Sequence, residues 1–392
     1  MFKNKKQLLV YPPMMALALY TTLLGYMVPQ LKEVFSLNYA QVGLFATLQA
    51  VGMAVSLVLC FCIFSAFNAI KISGISMIAF ALLMVLFGIN SYIIIAYVLF
   101  FVIGLVQNTI DALSNTVISE TAKHSVSFYL GLMHGLWAFA GVLGPFLAIA
   151  LGGSYRVTFI WLGVFMAVTA VLFIAGLWQH MKMPMIQNKQ NVGGLGKIFR
   201  LLKIKGMPAL VLINLFSCFV QNTYIIFIVS YINKAFSFAL GGAVVLACLF
   251  LGLLIGRTLF SLFATKIPVL KTMAISNAVA ILAFAGMMLS QSLALTAVLA
   301  CVGCTLAAMN FPALVLESHK LVPDDVSAAS SLIYFGLVIA IFAAPPFIGW
   351  IGDSLGLQTA LIITAAGLIP VVLLAAKSIK YFDTPQIDKS AA

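Results

Sequence analysis

Residues 92–120 read YIIIAYVLFFVIGLVQNTIDALSNTVISE, and residues 293–317 read LALTAVLACVGCTLAAMNFPALVLE. Each is an apolar run that reaches a glycine (Gly104, Gly303), sets one polar side chain seven residues on (Asp111, Asn310) and ends on a glutamate (Glu120, Glu317). A helix of about 20 apolar residues is about 30 Å long, the thickness of a bilayer's hydrocarbon core. The two stretches therefore say that the chain crosses a membrane, and that it repeats one design after about 200 residues.

Composition extends this reading to the whole chain. Of 392 residues 64% are hydrophobic and 8% charged, and the mean hydropathy is +1.17. A soluble protein needs a polar skin that this chain cannot supply, so lipid must solvate most of its outside. No stretch alternates apolar and polar residues as a membrane β-barrel does. Breaks at Gly, Pro, Asn, Ser and charged clusters divide the chain into twelve spans: 8–30, 40–66, 70–89, 92–119, 127–151, 155–178, 208–233, 238–264, 268–290, 293–317, 326–350 and 356–377. The fold class is an all-α membrane protein of twelve transmembrane helices in two six-helix repeats. Its expected parts are an N-terminal bundle (1–178), a basic linker (179–207) and a C-terminal bundle with a short tail (208–392). The basic N-terminus before the first run is read as the start of a retained helix, since no small-residue cleavage site follows.

A net charge of +12 would point to nucleic acid in a soluble protein. Here cytoplasmic loops account for it, because they collect Lys and Arg. With the N-terminus inside, only Lys32, Arg156 and Lys234 of the 21 basic residues fall on the outer side. Both termini are expected in the cytoplasm and the protein in the plasma membrane. The six cysteines all lie in apolar runs, and Cys301-x2-Cys304 has no second ligand pair, so neither a metal nor another cofactor is expected.

Further matches follow nearly the same offset: Lys71 with Lys271, Phe35-Ser36 with Phe236-Ser237, and Gly144-Pro145-Phe146 with Ala344-Pro345 and Pro346-Phe347. Paired six-helix bundles with a solute site at midplane between them are a transporter layout.

Asp111 stands out among the nine acids. It lies about 13 Å from the inner end of its helix, where an ionisable group costs about 2.5–3.5 kcal/mol and needs a reason. Protonation there depends on whether water reaches the carboxyl, as a proton-coupling group requires; a structural Asp tying two helices is the plainer alternative. Gln107, Asn108, Asp111, Ser114 and Asn115 recur at spacings of three and four and share a helix face. Asn214, Ser217, Gln221 and Tyr224, with Asn222 beside them, form a second stripe on the seventh span. Amides and hydroxyls without an intramembrane Lys or Arg suit a neutral hydroxylated solute, and Gln49, Gln30, Asn310, Tyr20 and Tyr334 extend the expected cavity. For any one of them, a hydrogen bond between helices is an equal reading. His134, well inside the fifth span, is a second proton-coupling candidate or a structural histidine; Trp137 is a platform for a sugar ring or a packing residue. Gly144 and Pro145 read as close helix contact and a bending point. Arg257 falls about 28 Å along the eighth span, near the cytoplasmic surface, and is read as a gate or an inter-helix anchor.

These features resemble the major facilitator superfamily. The run from Gly104 to Glu120, followed by LGLMHGLWAFAGVLGP (residues 130–145), is similar to the fourth and fifth helices of its fucose–galactose–glucose:proton symporter family. Asp111 and Asn115 match that family's acidic and amide positions; His134, Gly135, Trp137, Gly144 and Pro145 match its second run, and Gly256-Arg257 its second half. Two features depart from the pattern. The stretch Phe64 to Lys71 lacks the Asp and Gly of the superfamily's usual loop motif, and the first span has no acid. The resemblance implies proton-coupled uptake of a sugar or similar small neutral solute by a monomer in the bilayer, with Asp111 acting nearly alone. The alternative is a proton-coupled exporter of amphipathic compounds. Neither a metal-ligand motif nor a nucleophile–base cluster supports an enzyme, and no appended soluble domain supports a sensor.

Overall fold

The computed structural model describes residues 5–62, 68–121, 126–181, 200–238, 240–264 and 266–382. Most of the 179–207 linker and half of the Phe64–Lys71 stretch lie outside them. Twelve helical segments are long and apolar enough to cross a membrane. The first six are α1 (Tyr11–Val34), α2 (Tyr39–Cys62), α3 (Ala69–Ile89), α4 (Ile93–Thr121), α5 (Val126–Ala150) and α6 (Tyr155–Met181). The second six comprise α7 (Met207–Ala235), α8 (Gly241–Phe263), α9 (Val269–Leu289), the pair α10 (Leu293–Ala307) and α11 (Asn310–Leu321), α12 (Val326–Leu355), and the pair α13 (Leu357–Ala366) and α14 (Ile369–Phe382). Ile94, Leu82, Leu282 and Val171 are among the large apolar side chains left exposed, where hydrocarbon would solvate them. Twelve crossings bring both ends of the chain to one face, here the terminal face; the opposite one is the distal face.

Two spans read as continuous helices are broken, both at proline. A helical proline lacks the N–H for the carbonyl four residues back and its ring crowds that carbonyl. Pro312 accordingly frees Ala308, and the chain turns at 308–309 between α10 and α11. Pro370 frees Ala366, and Gly367 donates instead to Thr364 O at 2.9 Å. By contrast, α12 runs unbroken through Pro345 and Pro346.

Within the first half α2 packs along α4, α3 along α6 and α1 along α5; in the second, α8 packs along α10 and α9 along α10 and α14. The halves meet along α2·α12, α5·α8 and α1·α7. Exchanging corresponding spans turns the first of these contacts into the second, as a repeat about an axis along the membrane normal demands. Glycines show how closely the repeat is kept. A Cβ on Gly52 would strike Phe101 O and Leu105 N, and one on Gly252 would strike Cys301 O and Thr305 N. All three positions in each set are displaced by the same 200 residues, so α2 lies on α4 as α8 lies on α10, backbone against backbone.

The distal side of the seam is shut. Gly43 abuts the backbone of Pro345 and Pro346, Gly349 abuts Tyr39 O, Gly25 of α1 abuts Ile225 O of α7, and Gly141 of α5 abuts the Phe250 ring of α8. Thr47 donates to Phe342 O at 2.8 Å. Asp353, at the end of α12, accepts from the N–H of Tyr39 and of Ala40, both at 2.9 Å. These are the first amides of α2, which have no partner inside the helix. Asn38 and Gln41 complete the start of α2 with a reciprocal pair of bonds at 2.9 and 2.8 Å. Toward the terminal face the packing thins, since a Cβ on Gly131 or Gly135 of α5 would meet nothing within 4 Å.

Candidate functional site

The polar stripe of α4 divides among three neighbours. Asn108, 1% exposed, donates to Ser56 Oγ at 3.1 Å and to Met53 O at 3.4 Å, and Thr109 shares a 2.8 Å bond with Ser56. These groups tie α4 to α2. Gln107 accepts from Gln49 at 2.7 Å, and Gln49 accepts from Tyr20 at 3.1 Å, forming a chain across α4, α2 and α1. Asn115 donates back to Asp111 O at 2.8 Å. Ser114 Oγ is buried without a partner among the described residues.

Asp111 turns the other way, to the seam. Its Oδ2 accepts from the hydroxyl of Tyr334 on α12 at 3.4 Å. Tyr334 packs with Leu57 and Ala54 of α2 against Met53, Ala50 and Val338, a cluster drawn from both halves. The carboxyl thus stands where the two bundles meet, rather than sealed against a helix of its own half.

Across the seam, Arg257 lies in α8 with its guanidinium carbon 5.5 Å from the centre of the Trp137 ring of α5. Its Nε is buried and has no hydrogen-bond partner among the described residues. Trp137 also packs on Phe250, centroids 5.8 Å apart. This bears on two expectations. Arg257, expected near the cytoplasmic surface, reaches across the seam to α5, and the Gly241–Phe263 span does hold a basic group. Residue counting gave its depth along the helix but not the direction of a long side chain, which here folds back onto an aromatic face. The charge of Arg257 acts on Asp111 and on half-buried His134, yet no ion pair to Asp111 forms within 4 Å.

The second half holds a small cavity lined by Asn214, Ser217, Gln221, Asn310, Leu253 and Phe284 among others. Most of its amides are engaged. Asn310 and Asn277 exchange bonds at 2.8 and 2.9 Å, and Asn310 donates to Ser217 at 2.9 Å. Asn214 donates to Ile333 O at 2.7 Å, joining α7 to α12. Asn222 donates to Cys218 O of its own helix at 2.8 Å. Tyr224, 1% exposed, donates to Leu361 O at 2.9 Å and stacks on Phe284, away from any open space. Gln221 bonds to no described residue. Sequence reading passed over Asn277, although it is the single amide of the 268–290 run. Gln30 joins the distal end of α1 to Gly153 O and to the N–H of Tyr155, far from the cavity. Gly144 abuts Thr22 of α1, and α5 continues as a helix through Pro145; the seam contact of this stretch is made by Gly141.

The Major Facilitator Superfamily profile matches residues 14–324. Among solved structures, a bacterial homologue of the human lysosomal transporter Spinster, inward-facing and unoccupied, superposes with a TM-score of 0.76 at 14% identity, covering 97% of this chain and 98% of its own. The nucleoside transporter NupG superposes at 0.75 with 14% identity, covering 95% and 98%. No curated protein matches in sequence. Identity this low speaks for the fold alone, and the profile match, over most of the chain, for descent. The chain belongs to the Major Facilitator Superfamily.

Proposed function

We propose that this chain is a monomeric, proton-coupled importer of a small, hydroxylated, sugar-like solute in the plasma membrane, with both termini cytoplasmic. The carrying observation is the Asp111 carboxyl meeting Tyr334 of the opposite half. A carboxyl at a moving seam is hydrated from one side and then the other, so its proton is taken up and released on different sides. Groups facing it or acting on it are Tyr334 from α12, Arg257 from α8 and, behind Tyr334, Cys60 from α2; His134 of α5 lies within reach of Arg257 and is the second coupling candidate. In the proposed cycle Asp111 is protonated from outside while solute binds at the seam. The halves then rock about that level, and water entering from the cytoplasm takes the proton as solute leaves. Gln107, Gln49, Trp137 and Gln221 are the proposed solute-side groups; Asn310, expected there from the sequence, is spent on Asn277 and Ser217 and with Asn108, Asn115, Asn214, Asn222 and Tyr224 holds the frame around them. Gly144, Pro145 and Arg257 are proposed to act in the movement.

The test is Asp111→Asn in proteoliposomes. Uphill uptake driven by an acid-outside gradient should fall to simple equilibration, while exchange of internal for external solute persists. Undiminished accumulation would remove Asp111 from the coupling.

A further inference from the structure

Arg257, read from the sequence as a gate or an inter-helix anchor, carries a hydrogen-bonding demand that neither of those roles meets. Taking a guanidinium out of water is costly unless a partner accepts its hydrogen bonds. Here the guanidinium carbon lies 5.5 Å from the centre of the Trp137 ring, which attracts the cation but accepts no conventional N–H bond. The buried Nε has no acceptor. Nor does a carboxylate of the protein supply one among the described residues: Glu317 pairs with Lys320 at 2.7 Å, Asp325 caps its own helix, Asp353 caps α2, and Asp111 takes the hydroxyl of Tyr334. Leu253, one turn before Arg257 on the same face of α8, lines the cavity with Gln221 and Ser217. A planar, five-donor fork whose buried Nε lacks an acceptor therefore stands beside a cavity furnished with amides and a hydroxyl. An arginine fork fits a carboxylate, which accepts two parallel bonds from it.

Resting on the transport reading above, we propose that the transported solute is a hydroxylated monocarboxylate, a sugar acid rather than a neutral sugar, whose carboxylate pairs with Arg257. The arrangement also supplies a coupling rule. Ionised Asp111 and the solute carboxylate compete for the same guanidinium, so solute binds well only when Asp111 carries a proton. One proton and one monoanion then cross together, and transport moves no net charge. A neutral sugar carried with one proton would move one positive charge per turnover.

The experiment uses the full-length purified chain. Thermal shift and proteoliposome uptake are measured with gluconate, glucuronate and galacturonate against glucose, galactose and fucose, with the membrane potential clamped by potassium and valinomycin. A sugar acid should stabilise the protein and accumulate under a pH gradient at a rate that does not change with potential. Arg257→Gln should raise its KM at least 100-fold, and Arg257→Lys, which keeps the charge but not the fork, about tenfold. The wild-type potential dependence needs no variant and decides the matter even if Arg257→Gln fails to fold. Uptake of a neutral hexose with an inward current, or failure of every carboxylate in the panel, overturns the inference. In the first case the Asp111→Asn phenotype still stands and the transport reading survives; that reading falls only if the neutral solutes are not carried either.

Discussion

Asp111 and Asn310 are matched in the sequence repeat of the two halves, yet their surroundings are opposite. Asn310 is 2% exposed and its amide nitrogen is fully spent on Ser217 and Asn277. Asp111 is half-buried and reaches out of its own bundle to Tyr334. The helices that carry them differ too: α4 is continuous, whereas Pro312 breaks the tenth span just where Asn310 begins a new helix. One half has thus kept a titratable group at the seam, and the other has turned the same position into an internal brace. Repetition supplies the scaffold, and the departure from it marks where chemistry is carried.

Exchanging the two residues attacks this contrast directly. In the double variant Asp111→Asn with Asn310→Asp, gradient-driven accumulation should be lost altogether. A carboxyl placed among Asn277 and Ser217 meets no alternating water; recovery of coupling would show the two sites to be interchangeable. The single change Asn310→Asp should cost about 2.5–3.5 kcal/mol of stability, read as a lowered Tm in detergent, against little change for Asp111→Asn. Asn277→Ala should cost about 1–3 kcal/mol, because the facing amide of Asn310 loses its reciprocal partner. An unchanged Tm would mean water replaces Asn277 there and the brace is wetter than described. The smallest effect is expected at the distal closure. Removing the Asp353 cap by Asp353→Ala should weaken the shut state by about 0.5–2 kcal/mol. Spin labels at positions 44 and 354 should then report a larger share of long distances.

The scaffold was easy to read because a bilayer imposes one unmistakable requirement, some twenty apolar residues per crossing. Breaks inside a span were not, although Pro312 and Pro370 were in plain view, since hydropathy averaged along a run conceals one proline. The offset of about 200 residues was visible at Gly104 and Gly303; that it extends to Gly52 and Gly252 emerged only from backbone contacts, glycine being common in such helices. Asp111 could be singled out because a lone acid in hydrocarbon is costly. Which amides face a cavity could not, because neighbouring residues on a helix point about 100° apart and their role depends on what the next helix offers. Asn108 and Gln107, adjacent in sequence, serve different partners for this reason. Arg257 was read as a gate or anchor, but its place beside Trp137 was not legible, because its reach exceeds the rise of several residues.

The carboxylate of Asp353 grips α2 through main-chain amides alone. A contact of that kind is indifferent to which side chains occupy positions 39 and 40, so ordinary substitutions there leave it intact. Only the loss of an amide hydrogen, as in Ala40→Pro, can remove it from that side. Drift in the loop ahead of α2 can therefore retune what the distal entrance admits without disturbing how it shuts, whereas the acid on α12 has no comparable freedom.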